Sequence, residues 1–412
     1  MASSVTVIGG NQSGITLTFD STSNFALGQQ ISNLINASIA GGHYLIASDN
    51  LSPPPVPSGD IGIYLQTTSG TGGLPQGYSV DIISGPANAF VTGPIQPNQL
   101  IVSDEHTNLQ FVAGVYGSGT VVAGGGTSML SVPGANIRNW ELFTGAGNDL
   151  IYALGSGNDT IDAGGGRNLV ELGAGKDSVV SEGDDTIVAG TGAETITALN
   201  ASATYVKGNA SNLYFVGGSG GATILGGTGS DTYLGGATSG DQYVKGGSAG
   251  NNFLYAGGGA ATLLGGGSGD QLFASGNANQ FLIAGSGAET LSALASFGNV
   301  SLVGGSGKDL MIGGSGSDTF TAGSGASTVQ VGFTGTNTFN FISGSAGGTE
   351  LVQDIIDPSS IKISLQNYGS GEEAFALNSQ AVKGGSLTMK LSDGTRIVFE
   401  DVTQKLTGSN FT

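Results

Sequence analysis

Carboxylates are the residues of this 412-residue chain whose number and spacing could do chemistry. Thirty Asp and Glu stand against eleven Lys and Arg, and several end a short glycine-rich run: Asp149 after GAGN, Asp159 after GSGN, Asp177 after GAGK, Asp231 after GTGS and Asp318 after GSGS. Such groups can work in pairs as acid and base, ligate a hard cation through oxygen, or bond the N–H groups of their own turn. The first role fits poorly. A glycosidase needs two carboxylates flanking a bound sugar, and a single Trp provides little for a sugar-stacking groove. His43 and His106 are isolated and neither begins H-E-x-x-H, while GGSGG at 217–221 fits G-x-S-x-G only as any Gly/Ser repeat does. With no Cys there is no thiol catalysis, no disulfide and no Cys-based zinc site. The chain is read as non-enzymatic.

The elements that must position these carboxylates follow from glycine. Gly supplies 77 of 412 residues, but ten Pro cannot build a collagen helix, and 38% hydrophobic against 10% charged residues is too apolar for a solvated disordered chain. A β-rich repeat remains. From residue 145 each unit reads as a glycine turn, a polar residue and a short apolar run, centred on Ile151, Ile161, Val170, Val179, Ile187 and Ile196. The register runs on through Tyr205, Tyr214, Tyr243, Phe253 and Phe281 to Phe339, twenty intervals over 188 residues, or 9.4 per unit. Five residues of turn and four of strand have no core alone, so units must stack with their central residues, Tyr and Phe included, as a continuous interior. Two units per coil make a parallel β-solenoid of the β-roll kind.

GAGNDLIYA, GSGNDTIDA, GTGSDTYLG, GSGKDLMIG and GSGSDTFTA resemble the nonapeptide G-G-x-G-x-D-x-U-x of the RTX, or hemolysin-type, calcium-binding repeat family. The resemblance implies a β-roll that folds on calcium outside the cell after type I secretion, in a protein of the surface-layer or adhesin-like kind with degenerate repeats. It also places calcium between turns two units apart, on one edge of the roll. Split that way, the turn-end residues give one edge with Asp159, Asp177, Glu194, Asn212, Asp231, Asn251, Asp270, Glu289, Asp309 and Ser327. The other edge carries Asp149, Asn168 and Asp185, then loses its oxygens at Ala222, Ala261 and Val300, keeping Asp241, Asn279 and Asp318. Calcium takes six to eight oxygens, and stacked carboxylates repel one another without a cation. The expected calcium ligands are therefore Asp159, Asp177 and Glu194, then Asp270, Glu289 and Asp309, with Asp231, Asp149 and Asp318 as further sites. Units such as GGSAGNNFL and GNANQFL depart from the pattern, and amide ladders can replace the metal there.

Three segments are expected. Residues 1–115 form a small β-rich capping or assembly domain with PPPVP at 53–57 and one amphipathic helix over 25–40, capped by Ser23 or Asn24, with Leu27, Ile31, Leu34 and Ile35 on one stripe. Residues 116–345 form the solenoid. Residues 346–412 hold a hairpin turning at Asp393-Gly394 and resemble the carboxyl-terminal secretion region of type I substrates. The start, MASSVTVIGGNQSG, has neither a basic region nor an apolar run, so export without an amino-terminal signal peptide is expected. A net charge of −19, with no Lys or Arg before Arg138, excludes nucleic acid, and no apolar run approaches a membrane span. The reading is an extracellular or cell-surface structural protein that self-assembles as a homo-oligomer or polymer, a layer or filament, stabilised by Ca2+. The alternative is an adhesin whose amino-terminal domain binds cells or surface polysaccharide.

Overall fold

The structure, a computed structural model, describes residues 3–8, 14–48, 52–69, 71–93, 96–199, 203–209, 211–237, 240–332 and 334–412. The chain divides into two compact units, residues 1–211 and 212–412. Each is a parallel β-solenoid.

In the first unit, from Ile61–Gln66 onward, every second strand pairs in parallel, so successive strands alternate between two facing sheets. Leu142, Ile161, Val179 and Ile196 align in one sheet, and Ile151, Val170, Ile187 and Val206 in the other. All eight are fully buried. Fully burying one aliphatic side chain contributes about 1.5–3 kcal/mol, so the stacked column is the main stabilising term of each coil. The parallel coils begin at Tyr44–Ser48, which pairs with Ile61–Gln66, inside the segment expected to be a separate β domain. What precedes them is an antiparallel hairpin, Ser3–Ile8 with Gly14–Phe19, and the helix Thr22–Gly41.

The helix starts earlier than its apolar stripe indicates, because Ser21 is the residue that caps it, its hydroxyl accepting from Asn24 N–H. Ile31 and Ile35 face inward, whereas Leu34 is exposed. Gly28 permits the close approach, since a Cβ there would lie 2.5 Å from the Phe19 ring. Hairpin and helix cover the outward side chains Ile63, Leu65, Val80, Ile82, Val102 and Val122, which explains why these early strands are apolar on both faces.

In the second unit Phe215, Tyr233, Leu254, Leu272, Leu291 and Met311 form one inner column and Ile224, Val244, Leu263, Leu282, Leu302 and Phe320 the other. Phe215 stacks on Tyr233 at 5.4 Å, so part of the aromatic content is core. Tyr205, Tyr214, Tyr243 and Phe281 are not: each is exposed, with Val206, Phe215, Val244 and Leu282 taking the inward place one residue later. Phe253 also yields its place, to Leu254. A one-residue shift turns every side chain of a strand to the opposite face. At the carboxyl end Ser386–Lys390 and Arg396–Phe399 form the expected antiparallel hairpin, and the latter strand pairs in parallel with Thr349–Gln353. The short helix Glu372–Asn378, unforeseen in the sequence, holds the hairpin turn through Glu372, which accepts from Ser392 N–H and Oγ–H at 2.8 and 2.6 Å.

Candidate metal centre

At many glycine turns of both units the backbone N–H at the junction with the next strand donates to a side-chain oxygen of the following coil. On one edge of the first unit Trp140 N–H donates to Asp159 Oδ1 at 2.7 Å and Asp159 N–H to Asp177 Oδ1 at 2.8 Å; Glu194 aligns next in the column. The opposite edge of this unit is equally continuous: Ser128 N–H donates to Asp149 Oδ1, Asp149 N–H to Asn168 Oδ1 and Asn168 N–H to Asp185 Oδ1, at 2.6, 2.8 and 3.0 Å. In the second unit one edge carries Asp231, Asn252, Asp270, Glu289, Asp309, Ser327 and Glu350 in register. The other carries Gln242, Gln280, Asp318 and Asn337 between Ala222, Ala261 and Val300.

Four expected ladder residues give way to their neighbours. Asn212, Asp241, Asn251 and Asn279 are exposed, and Leu213, Gln242, Asn252 and Gln280 occupy the buried positions. This is the same one-residue shift that turns the neighbouring aromatics outward. Glu350 was missed because it lies beyond the glycine-turn pattern; only its pairing with Ser327 places it in the column.

One carboxylate oxygen is thus engaged by the backbone, and the second decides what the turn can hold. In Asp270, Asp309 and Asp318 the second oxygen accepts from Gly266, Gly305 and Gly314 N–H of its own turn, at 2.6–2.7 Å. In Asp159 and Asp177 it is buried with no partner. The glycine turns themselves stack with carbonyls close by: a Cβ on Gly175 would lie 1.7 Å from Gly157 O and 2.8 Å from Asp177 Oδ1, and one on Gly192 1.4 Å from Gly175 O. No three carboxylate or imidazole side chains converge on one point among the described residues, so backbone oxygens must complete any cation shell. This donor set is entirely oxygen and suits a hard cation. Burial raises Asp159 to about 6, with the charge of Asp177 adding to it and the Trp140 N–H opposing. Glu289 is raised to about 7, again first by burial, with Asp270 and Asp309 adding their charge.

The profile of the RTX calcium-binding nonapeptide repeat (4 copies) matches residues 154–179, 179–200, 246–281, 283–320 and 297–329. The chain carries RTX repeats. These repeats are calcium-binding motifs and imply a type I secreted, extracellular protein. No curated protein matches the chain as a relative. The matched RTX segments contain Asp159, Asp177, Glu194, Asp270, Glu289, Asp309 and Asp318 but leave out Asp149, Asp231 and Glu350.

Amides hold some turns without a cation. Gln280 Nε2 lies 3.0, 2.8 and 2.8 Å from the carbonyls of Gly257, Gly259 and Ser275, and its Oε1 accepts from Ser275 N–H at 2.8 Å. Replacing it by Leu strands several buried backbone groups, each costing about 1–3 kcal/mol. Gln280→Leu is therefore expected to destabilise the chain by about 3 kcal/mol in urea denaturation, equally with calcium and with chelator; a loss confined to the calcium-bound protein contradicts the amide's role.

Proposed function

We propose that this protein is a non-enzymatic structural component of the cell surface or extracellular matrix, whose repeat body is set by calcium along its carboxylate edges and whose copies self-assemble into a layer or filament. The observation that carries the reading is the pair Asp159 and Asp177, adjacent in one column, each with one buried oxygen that no protein group satisfies. A calcium ion held there by these carboxylates and the neighbouring turn carbonyls supplies the missing partner. In the second unit Glu289, with one buried oxygen left without a partner, is the corresponding candidate between Asp270 and Asp309, whose own oxygens already accept backbone N–H groups; Glu194, Asp231, Asp149 and Asp318 are further candidate ligands. RTX solenoids are typical of structural or toxin-type proteins, and the two His lie at the surface, each beside a single carboxylate: His43 by Asp60 and His106 by Glu105. Among the described residues no helix is long and apolar enough to cross a membrane.

Two features support association. A net charge of −19 keeps copies apart until cations screen or bridge it, and Phe297, Leu294 and Ile356 leave large apolar side chains 72%, 57% and 83% exposed. Electron microscopy of the purified chain with calcium and with chelator tests this: ordered sheets or fibres are expected with calcium. Monodisperse monomers in both conditions refute self-assembly, and monomers that bind cells or polysaccharide favour the adhesin reading. Residues 346–412 are proposed to carry the secretion signal, tested by fusing them to a reporter in a cell with a type I exporter.

A further inference from the structure

Within the first unit, residues 18–24, which run from the end of the amino-terminal hairpin into the first turn of its helix, are bound to three successive turns of the roll. Glu105 N–H donates to Thr18 O at 2.9 Å, Asn24 Nδ2 donates to Ala123 O and Thr144 O at 3.3 and 3.0 Å, and Ala146 N–H donates to Asp20 Oδ2 at 3.0 Å. Three buried oxygens around this contact are left without a partner: Asp20 Oδ1, Asn24 Oδ1 and Asp149 Oδ2. Asn24 is 0% and Asp149 1% exposed, so water does not compensate them. The Cβ that Gly145 lacks would sit 2.5 Å from Asp20 Oδ1 and 2.7 Å from Gly124 O, which makes the turn an oxygen-lined cradle. Asp20 and Asp149 are close enough for their charges to repel, and neither takes part in a described ion pair. A half-buried carboxylate, a buried one and a buried amide oxygen left unpartnered at one contact are groups that a cation would satisfy.

The geometry points to a divalent-cation site formed by Asp20, Asp149 and Asn24 Oδ1 with the turn carbonyls, a clasp that holds the hairpin and helix on the roll. Both carboxylates lie outside the matched repeats, and Asp20 comes from a segment 126 positions upstream of the turn it contacts. The clasp rests on the calcium reading but makes a separate claim: calcium fixes the amino-terminal cap as well as the coils.

Hydrogen–deuterium exchange on the full-length chain, with calcium isotherms and circular dichroism alongside, separates the two. At calcium 100 times its dissociation constant, the opening of residues 14–41 is expected to slow by about 100-fold, because binding only the docked state multiplies its weight by that factor. Asp20→Asn keeps an acceptor for Ala146 N–H but loses the charge, and is expected to lose that protection and one calcium equivalent; Asp149→Asn does the same if the first variant misfolds. The double variant Asp159→Asn/Asp177→Asn is expected to keep the calcium-dependent protection of 14–41. Full protection and unchanged stoichiometry in Asp20→Asn and Asp149→Asn overturn the clasp while leaving the repeat sites intact. Loss of that protection in the Asp159/Asp177 variant also overturns it, and a wild-type chain that binds no calcium overturns both readings.

Discussion

In chelator the chain is expected to lose stability as the pH rises from 5 to 8, and calcium is expected to restore it. Without a cation, burial raises Asp149 and Asp159 from 3.8 to about 6, Glu289 from 4.5 to about 7 and Glu350 from 4.5 to about 8. Asp177, Asp185, Asp231, Asp309 and Asp318 move in the same direction. The folded state therefore retains protons that the unfolded chain has already released. Its stability is fully present below the unfolded values near 4 and is lost as the pH passes through 6 to 8. One pKa unit corresponds to about 1.4 kcal/mol, so a two-unit rise at Asp159 alone is worth about 3 kcal/mol. Several such groups together rival the ~5–15 kcal/mol that keeps a domain folded. Melting followed by circular dichroism at pH 5, 6.5 and 8 should show the midpoint in chelator falling at each step, with the gain from calcium greatest at pH 8. A chelated protein that grows more stable with rising pH contradicts the burial of these carboxylates without a neutralising cation.

Gly192→Ala is expected to cost on the order of 3 kcal/mol even with calcium present, since overpacking against a fixed backbone is not relieved by side-chain rotation. The added Cβ would lie 1.4 Å from Gly175 O, and the turn can admit it only by moving away from the coil before it. That carbonyl is one of those proposed to face the cation, so the calcium midpoint should weaken as well. Gly369→Ala is the control: no atom lies within 4 Å of its Cβ, and an effect within about 0.5 kcal/mol is expected. Equal urea midpoints for the two variants would show that the turns are not closely stacked.

Charge made the candidate site readable. Asp149, Asp159, Asp177, Glu194, Asp231, Asp270, Glu289, Asp309 and Asp318 all stand at buried ladder positions, because a carboxylate straight after a glycine turn has one place where its oxygen can meet the stranded N–H. Where the turn ends in two polar residues, spacing did not choose between them. In DQYVK, NNFLY and NQFLI the aromatic invites the inward assignment, yet the adjacent Val or Leu is equally apolar. The register is settled by the residue two places earlier: Gln242, Asn252 and Gln280 gain hydrogen bonds in the buried turn, whereas Asp241, Asn251 and Asn279 stay in solvent.

The sequence by itself determined the parallel β-solenoid, its nine-residue units and the carboxylates at its edges, because glycine spacing and alternation are local properties that stacking merely repeats. Only the tertiary structure decided the rest. It joined Asp20 to a turn 126 residues away, extended the acidic column to Glu350, began the coils at Tyr44, and set which amides replace a cation. Each depends on which backbone oxygens and N–H groups meet once coils are stacked, and no periodicity along the chain records that.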